Sequence, residues 1–266
     1  MDVSKRLEVF NKIQFVEGEH RYFIDKEPAH TLSVTRLIKR YKREFQKEAM
    51  AKRVANKLGV SVKQVLADWE MNGLYSTTIG TMFHRYVESF YTKQKINSDL
   101  SDFEKLGFDE RTKIKENLPV MVKYFQNFYS KHPEYKCLKN EFVVGDIEDT
   151  KICGTADMLC LNQNNGLEIF DFKTNKKINT SSKYAKLFYP FDDMDECEFN
   201  EYTIQLNVYK YFIEKYTGLK VDGLKLVWIQ PTNIDFELIE LPCIQEKIKL
   251  MFERFKATSL FEEQSA

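Results

Sequence analysis

Three short apolar runs in the second half of the chain constrain its fold more than any other feature. Glu141-Phe-Val-Val, Ile152–Leu161 and Leu167–Lys173 have the length and the β-branched and aromatic content of strands. The last two are joined by Asn162-Gln-Asn-Asn-Gly166, whose Asn-Gly step is a strong hairpin signal. Charged residues sit inside these runs. The strand period of two places Asp171 and Lys173 on one face and Phe170 and Phe172 on the other. A carboxylate and an ammonium within an apolar strand are costly unless they pair or bind something. Asp157 lies in the preceding strand, across the expected hairpin. Antiparallel neighbours stand about 5 Å apart, so the two aspartates can share a cation that relieves their repulsion.

The flanking sequence supplies helices. A helix is expected over about 200–217, with Asn200 as cap and Gly218 as stop. Strands follow at Leu224–Gln230 and Asp235–Leu241. A closing helix then presents Ile244, Ile248, Met251, Phe252 and Phe255 on one face. Near the N-terminus, Ile13–Val16 and Arg21–Ile24 flank Glu17-Gly-Glu-His20 as a hairpin. Ser33 is placed to cap a helix whose apolar face is Val34, Leu37, Ile38, Tyr41 and Phe45. Further helices are expected at about 47–58, at 61–72, after Gly80 and at roughly 109–130. The first pair resembles a helix-turn-helix in outline, but a plain helical connection is the favoured explanation. Helices around a strand cluster make an α/β fold, a mixed β-sheet flanked by helices. Residues 1–135 read as a helical N-terminal subregion and 136–266 as the core, in one continuous structural domain.

Composition limits the partners. With 266 residues, 43% of them hydrophobic, the chain can bury a full core. Its 40 Lys+Arg balance 40 Asp+Glu, which argues against a generic nucleic-acid coat. Any binding to an acidic polymer must come from local clustering, such as the nine basic residues against Glu44 and Glu48 over 34–57. Five cysteines without a Cys-x-x-Cys pair suit reduced thiols in a cytoplasmic or similar reducing compartment. No apolar run has the roughly 18 residues of a membrane span, and no secretion signal is expected at Met1.

Four constellations carry chemistry. Asp171-Phe-Lys173 is weak alone, since Glu134-Tyr-Lys136 and Asp149-Thr-Lys151 have the same spacing and are explained as solvated ion pairs. Asp157 across the hairpin distinguishes it. Carboxylate oxygens suit Mg²⁺ or Mn²⁺, and Lys173 beside such an ion would stabilise charge on a phosphate. His84 and Glu88 share a helix face at i, i+4, following Gly80-Thr. Gln205 and Tyr209 lie on a helix that is apolar nearly all round, so the amide must find a buried partner. Lastly, five lysines between Lys173 and Lys186, without an acid, precede six acids over 192–201.

In order, Gly80-Thr-x-x-His84-x-x-x-Glu88, Gly154-Thr-Ala-Asp157, Asp171-Phe-Lys173-Thr174 and Gln205-x-x-x-Tyr209 resemble the motifs of the PD-(D/E)xK nuclease superfamily. Gln-x-x-x-Tyr points to its RecB-like branch, which includes viral exonucleases and the mitochondrial genome-maintenance exonuclease. The resemblance spans about 69–230, from Trp69 onward. It implies a restriction-endonuclease-like core in which His84, Asp157, Asp171 and the Phe172 carbonyl ligate one or two Mg²⁺ or Mn²⁺ ions. Lys173 would be the catalytic lysine. Gln205, Tyr209, Glu88, Glu141 and Thr174 would shape the site, and Lys176, Lys177, Arg40 and Arg43 would guide DNA. The Pro of the PD signature is replaced by Ala156, and Cys243 stands alone, so no iron–sulfur cluster is expected. The implied activity is a DNA exonuclease on single-stranded or end-bearing substrates, working with replication, recombination or repair proteins and no membrane. A structure-selective endonuclease, a non-catalytic DNA-processing subunit and an unrelated α/β protein remain as alternatives.

Overall fold

A computed structural model describes residues 2–19, 21–30, 32–95 and 100–264. The chain opens with a short helix α1 (Val3–Leu7) and a 3-10 turn. Strands β1 (Ile13–Val16), β2 (Arg21–Ile24) and β3 (Glu27–Pro28) then form a small antiparallel sheet. The expected hairpin is present, and a 3-10 turn at Glu17–Glu19 leads into its bend. His20 of that bend lies outside the described residues.

Ser33 caps α2 (Val34–Lys39) by accepting a hydrogen bond from the Arg36 amide. The helix is shorter than its apolar spacing suggests and ends near Arg40. Phe45, expected on the same face, is therefore 64% exposed, with its ring 6.0 Å from Trp69. After α3 (Lys47–Leu58), Gly59 takes a left-handed φ of 69°, the usual way to stop a helix. Ser61 then caps α4 (Val62–Thr92).

The helices expected separately at 61–72 and after Gly80 are one 31-residue rod. Neither Gly73 nor Gly80 interrupts it, because an isolated glycine costs a helix only about 1 kcal/mol and packing recovers that. At Gly80 the missing side chain has a use. A Cβ there would sit 3.3 Å from Thr174 Oγ1, so the glycine lets the rod approach the loop that follows Lys173. Helices α5 (Ser101–Lys105) and α6 (Phe108–Lys131) complete this half.

The central sheet consists of β4 (Lys136–Gly145), β5 (Cys153–Leu161), β6 (Leu167–Lys173), β7 (Val221–Trp228) and β8 (Glu237–Glu240), in that spatial order. The β5–β6 hairpin turns as expected. Asn162 Oδ1 accepts from the amides of Asn164 and Gly166, and Asn165 takes φ 59°. Pairing is antiparallel except between β6 and β7, which run parallel with α7 (Glu198–Thr217) as the crossover. Cys197, not Asn200, is the N-cap of α7; Asn200 instead donates to the Asp195 carbonyl. Helix α8 (Gln245–Gln264) closes the chain.

Two cores lie on the two sides of this sheet. Phe170, Phe172 and Met158 pack with Phe83 of α4 and Phe125 and Phe128 of α6. Leu159, Leu167 and Ile169 pack with α7 and α8, joined by Leu7, Phe10, Val34 and Leu37 from the N-terminus. The result is a mixed sheet with helices on both faces, as expected from the strand and helix patterns. Among the described residues no helix is long and apolar enough to cross a membrane.

Candidate active site

The β5–β6 register, Met158 opposite Phe170, carries Asp157 toward Asp171 at the next position along the hairpin. Instead of another ladder bond, the Asp157 carboxylate enters: its Oδ2 accepts the Phe172 amide at 2.7 Å. Across β4, Asn140 Nδ2 donates to the Asp157 carbonyl at 2.8 Å. The aspartate is thereby fixed on both sides and only 9% exposed. Its neighbour on β4, Glu141, has φ 47°, a conformation that L-residues with a side chain rarely adopt within a strand. Strain of this kind persists where the surroundings over-determine it and is concentrated at functional sites.

Helix α4 brings in His84. Its Nδ1 is 3.6 Å from Asp157 Oδ2 and 3.9 Å from Glu141 Oε1. One ligand atom each from His84, Glu141 and Asp157 lies within 4.8 Å of the other two. Asp171, 1% exposed, is not one of this trio, but it lies close enough on β6 for Asp157 and His84 to act on its charge. Asp171 Oδ2 is paired with Lys173 Nζ at 2.5 Å, a buried ion pair. Gln205 Nε2 stands 3.5 Å from Asp171 Oδ1 and 3.0 Å from the Tyr209 hydroxyl. The buried amide thus finds the partners its helix denies it. Three otherwise distant segments, residues 80–88, 140–173 and 205–209, meet here.

The electrostatics are those of crowded acids. Burial, and then repulsion from Asp157, push Asp171 up to about 6 despite Lys173. Burial also raises Asp157, and Glu141 adds to the effect while His84 and Lys173 oppose it. For His84 burial alone would favour the neutral ring, but Asp157 and Glu141 outweigh it and carry the pKa up to about 9. Lys173 is likewise opposed by burial, yet Asp171 and Asp157 hold its proton above the usual lysine range. A divalent cation among these carboxylates would relieve the burial and repulsion together. Carboxylate oxygens with one imidazole form a donor set of the hard, borderline kind that accepts Mg²⁺ or Mn²⁺.

Other residues singled out from the sequence are more dispersed. Glu88 lies one turn beyond His84, where burial and the nearby Glu17 raise its pKa, and it is not part of the cluster. Thr174 meets α4 at Gly80. Lys176 and Lys177 are exposed on the loop leaving β6, whereas Lys186 lies within 3.8 Å of Asp195. Arg40 lies over the Phe255 ring, and Arg43 uses its amide to reach Glu196. The Phe172 ring is in the core.

Two residues near the cluster went unread in the sequence. Tyr202 places its ring 4.4 Å from Lys173 Nζ and donates its hydroxyl to Asn175. Its position three residues before Gln205, on the same helix face, was a usable signal. Asn140 was hidden, because only strand pairing shows that it meets Asp157.

A family model described as the PD-(D/E)XK nuclease superfamily matches residues 53–253. No curated protein matches the chain. Among solved structures, one described as the crystal structure of SSO0001 is similar over 94% of this chain and 81% of that chain, with 16% identity and a TM-score of 0.35.

Proposed function

The chain belongs to the PD-(D/E)XK nuclease superfamily, and from that premise we propose that it is a Mg²⁺- or Mn²⁺-dependent deoxyribonuclease, acting as an exonuclease on single-stranded or end-bearing DNA. The observation that carries this reading is the meeting of His84, Glu141 and Asp157 beside the buried Asp171–Lys173 ion pair. His84, Glu141, Asp157 and Asp171 would hold the cation, with the Phe172 carbonyl as a further oxygen. When bound, a divalent ion supplies Lewis-acid polarisation of the phosphate and makes water more acidic.

The chain's own residues do the rest. Lys173 keeps its proton, so it presents a fixed positive charge that offsets the negative charge developing on the phosphate. Tyr202 and Asp171 both contact that ammonium and confine it. Gln205 links Asp171 to Tyr209 and so fixes the side of the carboxylate that faces α7. The spacing Gln205-x-x-x-Tyr209 supports the RecB-like branch, with its viral and mitochondrial exonucleases, and a role in replication, recombination or repair.

Digestion of end-labelled single- and double-stranded DNA with Mg²⁺, Mn²⁺ or EDTA tests the proposal. Cleavage is expected only with the cation, and Lys173→Ala should lower kcat by roughly 10²–10³, the usual cost of one aimed positive donor. Cation-independent cleavage, or a Lys173→Ala protein as active as the parent, refutes it. A covalently closed single-stranded circle should resist digestion; its linearisation would favour a structure-selective endonuclease with the same residues. A non-catalytic DNA-processing subunit is disfavoured by the presence of Asp157, Asp171 and Lys173 together.

A further inference from the structure

A cavity of about 710 Å³ opens against the far side of Gln205 and Tyr209. Its floor is Gly154 and Thr155 of β5, and its walls are the β1–β2 hairpin and the start of α2. No sequence motif pointed to this hairpin, yet two tethers hold it beside the acids. Tyr22 and Thr155 share a hydroxyl hydrogen bond at 3.1 Å, and Arg85, next to His84, pairs with Glu17 at 2.7 Å. The cavity and the acid cluster share Gln205, whose amide stands 3.5 Å from Asp171.

The lining combines two features that suit one ligand class. Phe15 and Tyr22 lie with ring centroids 4.8 Å apart, and Phe15 is 41% exposed. Arg21 of β2 and Arg36 of α2 both line the cavity, with Glu19 as the acid of the lining. An exposed ring beside two guanidiniums provides a stacking surface for a base and charge for its phosphates. The volume falls within the range of about 300–1,000 Å³ that houses one small ligand, so it suits a nucleotide or so of single strand rather than a base-paired helix.

We propose that this cavity seats an unpaired end of a DNA strand, with a base stacked on Phe15 and its phosphates held by Arg21 and Arg36, so that the adjoining backbone reaches the acid cluster past Gln205. The proposal rests on the nuclease reading and adds to it an N-terminal element that selects unpaired ends.

Binding without cleavage separates the two. In EDTA, a fluorescein-labelled oligothymidylate of eight nucleotides and a blunt duplex of equal length are titrated by fluorescence anisotropy. Phe15→Ala and Arg21→Ala should each weaken single-strand binding by fivefold or more and leave duplex binding within twofold. Unchanged single-strand affinity, or equal losses on both probes, overturns the pocket. If Phe15→Ala unfolds, Arg21→Glu, changed at an exposed position, carries the same comparison. Cleavage with Mg²⁺ is measured alongside. Selective binding loss without any cleavage would support the pocket and refute the nuclease, whereas cleavage with unaltered binding by the variants would refute the pocket alone.

Discussion

At the scale of single residues, the small side chains matter as much as the charged ones. Gly154 opens the motif that ends in Asp157. A Cβ there would fall 2.7 Å from Tyr209 Cε1 and 3.1 Å from Val34 Cγ2. Tyr209 is 2% exposed and bonded to Gln205, so its ring has little room to yield. Gly154→Ala should therefore destabilise the fold by about 1–3 kcal/mol, as overpacked cores do, and displace Gln205 from Asp171. Urea unfolding measures the first effect, and cleavage at saturating cation the second. A variant as stable and active as the parent would show that Tyr209 does not need that contact. The motif pattern made Gly80 and Gly154 visible, but only packing explains why each is a glycine.

At the scale of elements, the turn between β4 and β5 determines how those strands meet, and one buried acid organises it. Asp146 is fully buried; its Oδ2 accepts from the Thr150 amide and hydroxyl, and its Oδ1 meets Lys215 at 2.8 Å and the Tyr216 hydroxyl. Burial opposes the charge, but these donors, Lys215 and Tyr216 foremost, outweigh it and hold the pKa below the usual carboxylate value. A depressed folded-state pKa stabilises the fold above the unfolded value of about 3.9, and that contribution is lost as pH falls through the folded pKa. Unfolding midpoints should thus fall below about pH 4, and Asp146→Asn should show a shallower decline there from a lower starting stability. Urea midpoints from neutral pH downward check this; parallel acid limbs would show that Asp146 is not responsible. Secondary structure was legible where one apolar face ran on without interruption, as in α6. It was misread where tertiary contacts ended a helix early, as at Arg40, or carried one through glycines, as at Gly73.

At the scale of the whole molecule, balanced charge means that any attraction for DNA is local. Lys176 and Lys177 are exposed just beyond Lys173, and we expect each to contact a phosphate. Replacing both by Ala should reduce the slope of log affinity against log salt by roughly 1.4, at about 0.7 per single-strand phosphate contact. Titrations in EDTA across a salt series measure it, and an unchanged slope would assign the steering elsewhere. We also propose that residues 1–135 and 136–266 fold as one unit. Leu7, Phe10, Val34 and Leu37 share a core with Leu159 and Phe212, so the fragment 136–266 alone would expose that face. It should lack a cooperative thermal transition by circular dichroism, and a sharp transition would establish an independent core.

The amino-acid order by itself determined the α/β class and the β5–β6 hairpin, and singled out His84, Asp157, Asp171, Lys173, Gln205 and Tyr209 as candidates, because periodicity, turn chemistry and motif spacing are written along the chain. Tertiary structure alone decided that α4 runs unbroken, that Glu141 is held at positive φ, that Asn140 braces Asp157 and Tyr202 lies against Lys173, and that the N-terminal hairpin forms a wall of the adjoining cavity. Each of these depends on contacts between residues far apart in the chain, which no local pattern encodes.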